Sequence, residues 1–482
     1  MGSGRVNALE LALREHPDVA DVHVEPALSS ASSDHLVAMI VPAQAGPITG
    51  EREHVQRWRD VYDSLYAGSA TTGATVFNTA GWRRRSDRQP IPEQDMRGWM
   101  CDTVERILAD TPSDVLEVGC GTGLLLFPTA PSCRRYLATD VSATAIDLLD
   151  SVIARQRSAG RWSANVELAC SPAHEVAQAA AGSSFDTAII NSVVQHFPGV
   201  GYFERTLAAL LGVIRRPGRI YIGDVRNLRL LTTFHLAAAL ARAQPDVTLD
   251  ELRERVRRAT AAETELLLSP EYFLALPQRF PAIRHVEVQL KRGRYLDELR
   301  LFRYEVILHL GDVETIPPEL QLCWSPAFDG ATLQHLLERQ RPRTLQLCAV
   351  PNRSLAAHCL RVDVLHGGLL DRAEQLTSIG LESAASGPGL EPSAVIHSAR
   401  LLGYNAEIHC SADGNPRRFD AVLRDSSRRG PLPALPATTP PPLTKASVSQ
   451  TQSPATLESY LGRRFPSQEL PSCVVIGPRL CG

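Results

Sequence analysis

The chain has 482 residues, room for roughly two to four domains that each bury a core. At 44% hydrophobic and 21% charged it has the composition of a globular protein, and no apolar run approaches the roughly 20 residues that cross a bilayer, so no membrane partner is expected. A net charge of -3 excludes the electrostatic footprint of a nucleic-acid binder, and the arginines of 83–85 and 253–258 lie among acids or polar residues as solvated faces. The ten cysteines are scattered, with no C-x-x-C pair and no His-rich partner segment. Neither a metal site nor a disulfide framework is indicated, and a reducing, cytoplasmic setting fits.

Residues 1–46 read as a small unit. The first residues lack the basic start and apolar core of a secretory signal. Val6, Leu9, Leu13 and Val19 fall on a helical stripe, and "ADVHVEP" and "HLVAMIVP" alternate as strands. A polar linker, 47–57, follows. From residue 58 to 311 strands and helices alternate, the pattern of a doubly wound, mostly parallel sheet. Strands are predicted at 114–118, 135–139, 165–169, 185–191 and 218–223, with a closing antiparallel pair near 284–290 and 302–309. Between the fifth strand and this pair, 229–267 is rich in Leu, Ala, Arg and Glu; its place after a strand's carboxyl end predicts a helical lid. Residues 312–425 form a mixed extension, with "RTLQLCAVPNRSLAAHCL" as strand, turn and helix and "FDAVLRD" as a late strand. A Pro-rich linker, 426–456, precedes a last helix and strand over 457–482.

The chemistry gathers at "LEVGCGTG", 116–123, a glycine turn behind the first strand of the sheet. A triphosphate cradle needs Lys-Ser/Thr after the last glycine, whereas Leu124 and Leu125 follow. A dinucleotide turn is G-x-G-x-x-G, whereas Gly119, Gly121 and Gly123 make G-x-G-x-G, with Glu117 in front. A carboxylate there repels a pyrophosphate but suits a cationic or hydroxyl-bearing ligand. Asp140, at the tip of the second strand, is placed to accept both hydroxyls of an adenosine ribose. Glycines admit backbone close to the ligand. Together these predict an adenosine without phosphates, for which S-adenosylmethionine is the obvious candidate.

"LEVGCGTG" followed by "ATDVS" resembles the first two motifs of class I S-adenosylmethionine-dependent methyltransferases. "VYDSLY", "FNTAGW", "PIPEQDM", "FDTAIINSVVQHFP", "IYIGDVRN", "HVEVQLKRGRYLDELRLFRYEVILHLG" and "AVPNRSLA" resemble, in order, the methyltransferase domains embedded in nonribosomal peptide synthetases, over roughly 58–425. The flanks, "RVNALELALREHPDVADVHVEP…HLVAMIVP" and "LESYLGRRFPSQELPSCVVIGPRL", resemble the two parts of the small carboxy-terminal subdomain of an adenylation domain. Joined, they form one α+β unit with the methyltransferase nested in a loop, as in interrupted adenylation domains. The large nucleotide-binding part of such a domain is missing from this sequence, as is the segment with that family's catalytic lysine, so adenylation is not expected. In the third motif, "SPAHEV" has His174 then Glu175 where the family often has an acid directly after "PA".

The resemblance implies a Rossmann-like, seven-stranded sheet and methylation of the α-amine of an aminoacyl thioester on an aminoacyl carrier protein supplied elsewhere. Alternatives are O-, C- or S-methylation of the tethered residue, or a non-catalytic docking remnant. Cofactor contacts are expected from Glu117, Gly119, Gly121 and Gly123 near the methionine arm, Asp140 at the ribose and Asn191 beside the reacting methyl. Tyr62, Tyr66, Asn78 and Trp82, ahead of the first strand of the sheet, are placed to wrap over it. Acceptor-side candidates are Gln195 and His196 after the fourth strand, and Asp224 with Arg226 after the fifth. Asp224 is expected to hold the amine and His196 to take its proton. Glu263, Glu265 and Tyr272 are weaker candidates from the lid region.

Overall fold

In the computed structural model, described residues are 51–70, 75–85, 89–244, 246–293, 298–313, 315–367 and 389–427, with short pieces at 9, 12–13, 19–26, 36–42, 375–376, 432–433, 444–445 and 472–475. Most of 1–46, of the Pro-rich segment 426–456 and of 457–482, for which expectations were formed, lies outside them.

The first strands are β1 (Val19–Pro26) and β2 (Leu36–Pro42), an antiparallel pair. The central sheet is built from β3 (Asp114–Val118), β4 (Arg135–Asp140), β5 (Val166–Cys170), β6 (Phe185–Asn191), β7 (Ile214–Arg226), β9 (Ile283–Leu290) and β10 (Arg303–Leu310). A two-residue strand, β8 (Leu267–Leu268), precedes β9. The sheet order is β5-β4-β3-β6-β7-β10-β9, with β10 antiparallel to both neighbours. This is the class I methyltransferase order, and its switch point lies between β3 and β6, where such a sheet opens a ligand crevice. Each predicted strand of this sheet is present, some longer than its apolar run.

Residues along a strand face alternate sides, so Val115 joins one core with Trp99, Tyr136 and Ile153, while Leu116 joins the other with Phe203, Ile222 and Tyr304. The strands buried on both faces read as near-continuous apolar runs for this reason. Behind β4, Ser142 caps the helix Ala143–Ser158: its Oγ accepts the Ala145 N–H at 3.1 Å.

The sheet does not stop at seven strands. The extension adds β12 (Leu320–Cys323), β13 (Thr344–Pro351), β14 (Tyr404–Cys410) and β15 (Arg418–Asp425) in the order β12-β13-β15-β14. It has its own core of Leu345, Leu347, Ile408 and Phe419. β14 meets β9 through one residue pair, His409 with Gln289. Short β11 (Thr315–Ile316) pairs with β16 (Leu432–Pro433), and β17 (Thr444–Lys445) with β8. Finally β18 (Ser472–Val475) lies parallel to β2, so the two ends of the chain share one three-stranded sheet.

The lid expectation is corrected. Helices Leu231–Leu240 and Leu249–Ala261 bury Leu236, Leu252 and Val256 against Val362 and Leu365 of the helix Arg353–Gly367. Their apolar faces are used up on the extension. The cover over the crevice is instead the helix Glu51–Ala70, whose Val55, Trp58, Tyr62, Leu65 and Tyr66 recur at helical spacing and line the cavity.

Candidate active site

A cavity of about 360 Å³ opens at the carboxyl ends of β3, β4 and β6, inside the range of small-molecule sites, about 300–1,000 Å³. Its floor is the glycine turn. Gly119 and Cys120 donate their N–H groups to the Thr139 carbonyl at 2.8 and 3.0 Å, which draws the turn tightly across β4. Gly119 and Gly121 have φ of 75° and 52°. A Cβ on Gly119 would stand 2.3 Å from Val193 Cγ2, and one on Gly121 would reach 3.0 Å from the Tyr66 hydroxyl. Both glycines line the cavity. Gly123 does not: a Cβ there would run into Leu149 and Phe127, so this glycine serves helix packing behind the turn.

Asp140 is buried at the cavity wall, its Oδ2 accepting the Gly121 N–H at 2.8 Å and its Oδ1 the Ser142 N–H at 2.9 Å. Each oxygen keeps a lone pair for a further donor. Glu117 accepts the Tyr136 hydroxyl at 2.8 Å, and burial pushes its carboxyl up to about 7. Asn191 lines the cavity opposite; its Oδ1 is buried without a partner among the described residues. That amide has room only because its pairing neighbour on β7 is Gly223, where a Cβ would come 1.9 Å from Oδ1. From the third motif, Ser171 and Ala173 reach the cavity, whereas His174 bonds away to the Tyr202 hydroxyl at 2.9 Å.

The covering helix is tied to the loop after β6. Tyr62 Oη lies 2.9 Å from His196 Nε2, His54 Nε2 lies 3.1 Å from the His196 carbonyl, and Trp58 donates to His54 at 2.9 Å. Burial pushes the His196 imidazole down to about 4, so it is neutral at pH 7. Its Nδ1 and the Gln195 Oε1 are buried without partners among the described residues, while Gln195 Nε2 donates to the Ser192 carbonyl at 2.9 Å. Both side chains line the cavity.

Four of the principal expected residues stand elsewhere. Asp224 is fully buried beneath the cavity floor, with Trp99 Nε1 at 3.0 Å, the Ser192 hydroxyl and Lys291 Nζ at 2.7 Å on its carboxylate. Burial works against its charge, but the Lys291 ammonium, the Arg303 guanidinium and the Ser192 hydroxyl together hold the carboxyl below its ordinary range. Asp224 has φ of 59° and lies at a register shift of β7 against β10, between the Ile222–Val306 and Val225–Tyr304 pairs. Arg226 pairs with Glu263 and Glu265, each at 2.7 Å. Asn78 folds on its own turn, accepting the Ala80 N–H at 3.0 Å, and its carbonyl accepts the Thr122 hydroxyl of the glycine turn at 2.6 Å. Gly123 is the fourth. Tyr62, Tyr66, Trp82 and Glu265 do line the cavity; Glu263 and Tyr272 do not, the latter donating to Glu204 at 3.0 Å.

Sequence reasoning missed Ser192, Gly223, Trp99 and Arg303. Ser192 sits at φ 58° with its hydroxyl on Asp224, which turns the loop so that Gln195 and His196 face the cavity. Arg303 adds a guanidinium to the wall. It lies on the antiparallel strand β10, far in sequence from the glycine turn.

These residues fit S-adenosylmethionine: a carboxylate with free lone pairs for ribose hydroxyls, an acid for an ammonium, and a cradle that side chains would fill. Residues 116–220 match the family model of a methyltransferase domain. Chondramide synthase cmdD of Chondromyces crocatus is 40% identical over 63% of this chain and 8% of its own length. The probable non-canonical nonribosomal peptide synthetase CymA of Salinispora arenicola is 37% identical over 66% of this chain and 4% of its own. The chain thus spans less than a tenth of either relative. Among solved structures, the N-methyltransferase NodS of Bradyrhizobium japonicum in complex with S-adenosyl-l-homocysteine is 15% identical, covers 53% of this chain and 98% of its own, and has a TM-score of 0.33. The chain carries a methyltransferase domain of the S-adenosylmethionine-dependent class I fold, within sequence similar to nonribosomal peptide synthetases.

Proposed function

We propose that the cavity transfers a methyl group from S-adenosylmethionine to the α-amine of an aminoacyl thioester carried on a phosphopantetheine arm. The observation that carries this reading is a pair of buried atoms on cavity residues that have no partner among the described residues: Gln195 Oε1, an acceptor, and His196 Nδ1, which accepts in the tautomer whose Nε2–H donates to the Tyr62 hydroxyl. A neutral primary amine brings two N–H donors and leaves its lone pair for the electrophile; a hydroxyl brings one.

When bound, S-adenosylmethionine supplies a methyl on a sulfonium whose charge disappears at transfer, so alignment and exclusion of water matter more than acid catalysis. Glu117 would hold the ammonium of the amino-acid arm, Asp140 would accept the ribose hydroxyls and Asn191 Oδ1 would meet the cofactor beside the reacting methyl. Trp58, Tyr62 and Tyr66 close the site from above. The acceptor amine must be unprotonated, and a free α-amine titrates at roughly 7.7–8.0. With an imidazole pushed down to about 4, His196 orients the amine as a hydrogen-bond acceptor instead of storing its proton. Asp224 is a positioning residue: through Ser192 and Trp99 it fixes the floor.

The shared sheet of β1, β2 and β18 supports the reading that the methyltransferase is nested in an adenylation-like subdomain. Carrier protein and remaining synthetase domains are then its partners. The test is to give the purified chain S-adenosylmethionine and a panel of aminoacyl-pantetheine thioesters and to fragment the products. The reading predicts added mass on the α-nitrogen; added mass on side-chain oxygen, carbon or sulfur contradicts it.

A further inference from the structure

A second cluster of metal-ligating side chains lies where the methyltransferase sheet meets the extension. Glu287 on β9 and Glu407 and His409 on β14 each offer a ligand atom, and these atoms all lie within 4.8 Å of one another. Glu287 and His409 are 5% and 3% exposed, which rules out a casual surface cluster. Both ring nitrogens of His409 are buried without a hydrogen-bond partner among the described residues, and its Nε2 lies 3.6 Å from Glu407 Oε2. A neutral imidazole always has one donor and one acceptor to satisfy, and leaving them unmet in the interior is costly. His309 on β10 reaches Glu287 Oε1 at 2.7 Å, and the rings of His285 and His309 lie 5.6 Å apart.

We infer that this seam binds a divalent transition-metal ion, zinc by the chemistry of its donors, through Glu287, Glu407 and His409. Two carboxylate oxygens and an imidazole nitrogen form a borderline donor set that suits zinc. Around zinc, bonds of about 2.0–2.2 Å place tetrahedral ligand atoms about 3.3–3.6 Å apart, so the three groups close by about 1 Å through side-chain rotation. The other contacts leave the site open. Arg424 occupies Glu407 Oε1, leaving Oε2 toward His409; the Gln289 amide and His309 hold Glu287 by donors, as outer partners orient a ligating carboxylate. Arg219, opposite His309 in the sheet, is already engaged by Asp110 and the Ile107 carbonyl.

The ion acts as a staple. β9 and β14 share one residue pair, and that pair includes His409 itself. None of the three ligands lines the cavity, so the site serves the joint and not methyl transfer. No motif announces it because the ligands come from strands more than a hundred residues apart in the chain.

The experiment takes the full chain, produced without a histidine tag, strips it with a chelator, adds zinc, removes excess by gel filtration and measures the metal by mass spectrometry. One equivalent is expected on the wild type, and less than a tenth of that on His409→Ala and on Glu407→Gln. Cobalt in place of zinc is expected to give the visible bands of a tetrahedral site, absent in both variants. The melting temperature of the stripped wild type is expected to rise with added zinc while its affinity for S-adenosylmethionine stays the same. A stripped wild type that takes up no stoichiometric zinc, or variants that retain it equally, overturns the inference; the wild-type measurement decides even if a variant fails to fold.

Discussion

Lys291 Nζ stands 2.7 Å from Asp224 Oδ1, and both side chains are sealed from solvent. Lys291 also reaches Glu305 at 2.8 Å, and Arg106 meets the other Glu305 oxygen at 2.7 Å, so a buried chain of charges runs under the site. Removing Asp224 leaves Lys291 and Arg106 sharing the single carboxylate of Glu305, a buried positive charge without its counter-charge, at a cost of about 3–5 kcal/mol. Asp224→Ala is therefore expected to lower the melting temperature sharply, and the double change with Lys291→Met to recover much of the loss. A normal melting temperature with activity abolished would instead mark Asp224 as a contact to the substrate.

Gly223→Ala tests the space behind Asn191. The added methyl cannot coexist with Oδ1 at 1.9 Å, so the amide must swing from its place. Losing a buried hydrogen bond costs about 1–3 kcal/mol, and cofactor affinity by calorimetry should fall roughly tenfold to a hundredfold with the fold intact. Unchanged affinity would remove Asn191 from the cofactor site.

Asp140→Ala takes away both the proposed ribose contact and the anchor of the Gly121 N–H. S-adenosylmethionine and S-adenosylhomocysteine should weaken equally, by at least about tenfold, because they share the ribose. If either binds as before, the ribose assignment is wrong.

The pH dependence of binding follows from Glu117. Burial raises its carboxyl to about 7, so below that pH it is protonated and neutral, and above it carries the charge that an ammonium needs. Cofactor affinity should rise between pH 6 and about 8 and binding near pH 6.5 should release a proton, seen as a buffer-dependent heat. In Glu117→Gln the slope should disappear. Since the imidazole of His196 is already neutral above about 4, it adds nothing to this slope.

The parts of this account that were legible in the sequence are those encoded locally. Strands such as Asp114–Val118 and Phe185–Asn191 are apolar runs because both faces are covered, and the glycine turn with Glu117 and Asp140 is read within one strand-turn-helix-strand stretch. What escaped depends on distant partners. The helix Leu249–Ala261 shows an apolar face, but only the fold reveals that Val362 and Leu365 cover it. Asp224 sits at a strand end like a ligand contact, and only the fold shows it under the floor, at a register shift of β7 and paired with Lys291. Gly223 looks like any glycine in a strand until its neighbour Asn191 is placed.

The central claim is that the acceptor is an amine met by Gln195 and His196. The most direct test compares two pantetheine thioesters that differ at one atom, an α-amino acyl and the matching α-hydroxy acyl group, with S-adenosylmethionine in excess. Methyl transfer is expected to the amino thioester, lost in Gln195→Ala and His196→Ala, and none to the hydroxy thioester. Equal or faster methylation of the hydroxy thioester would contradict that claim.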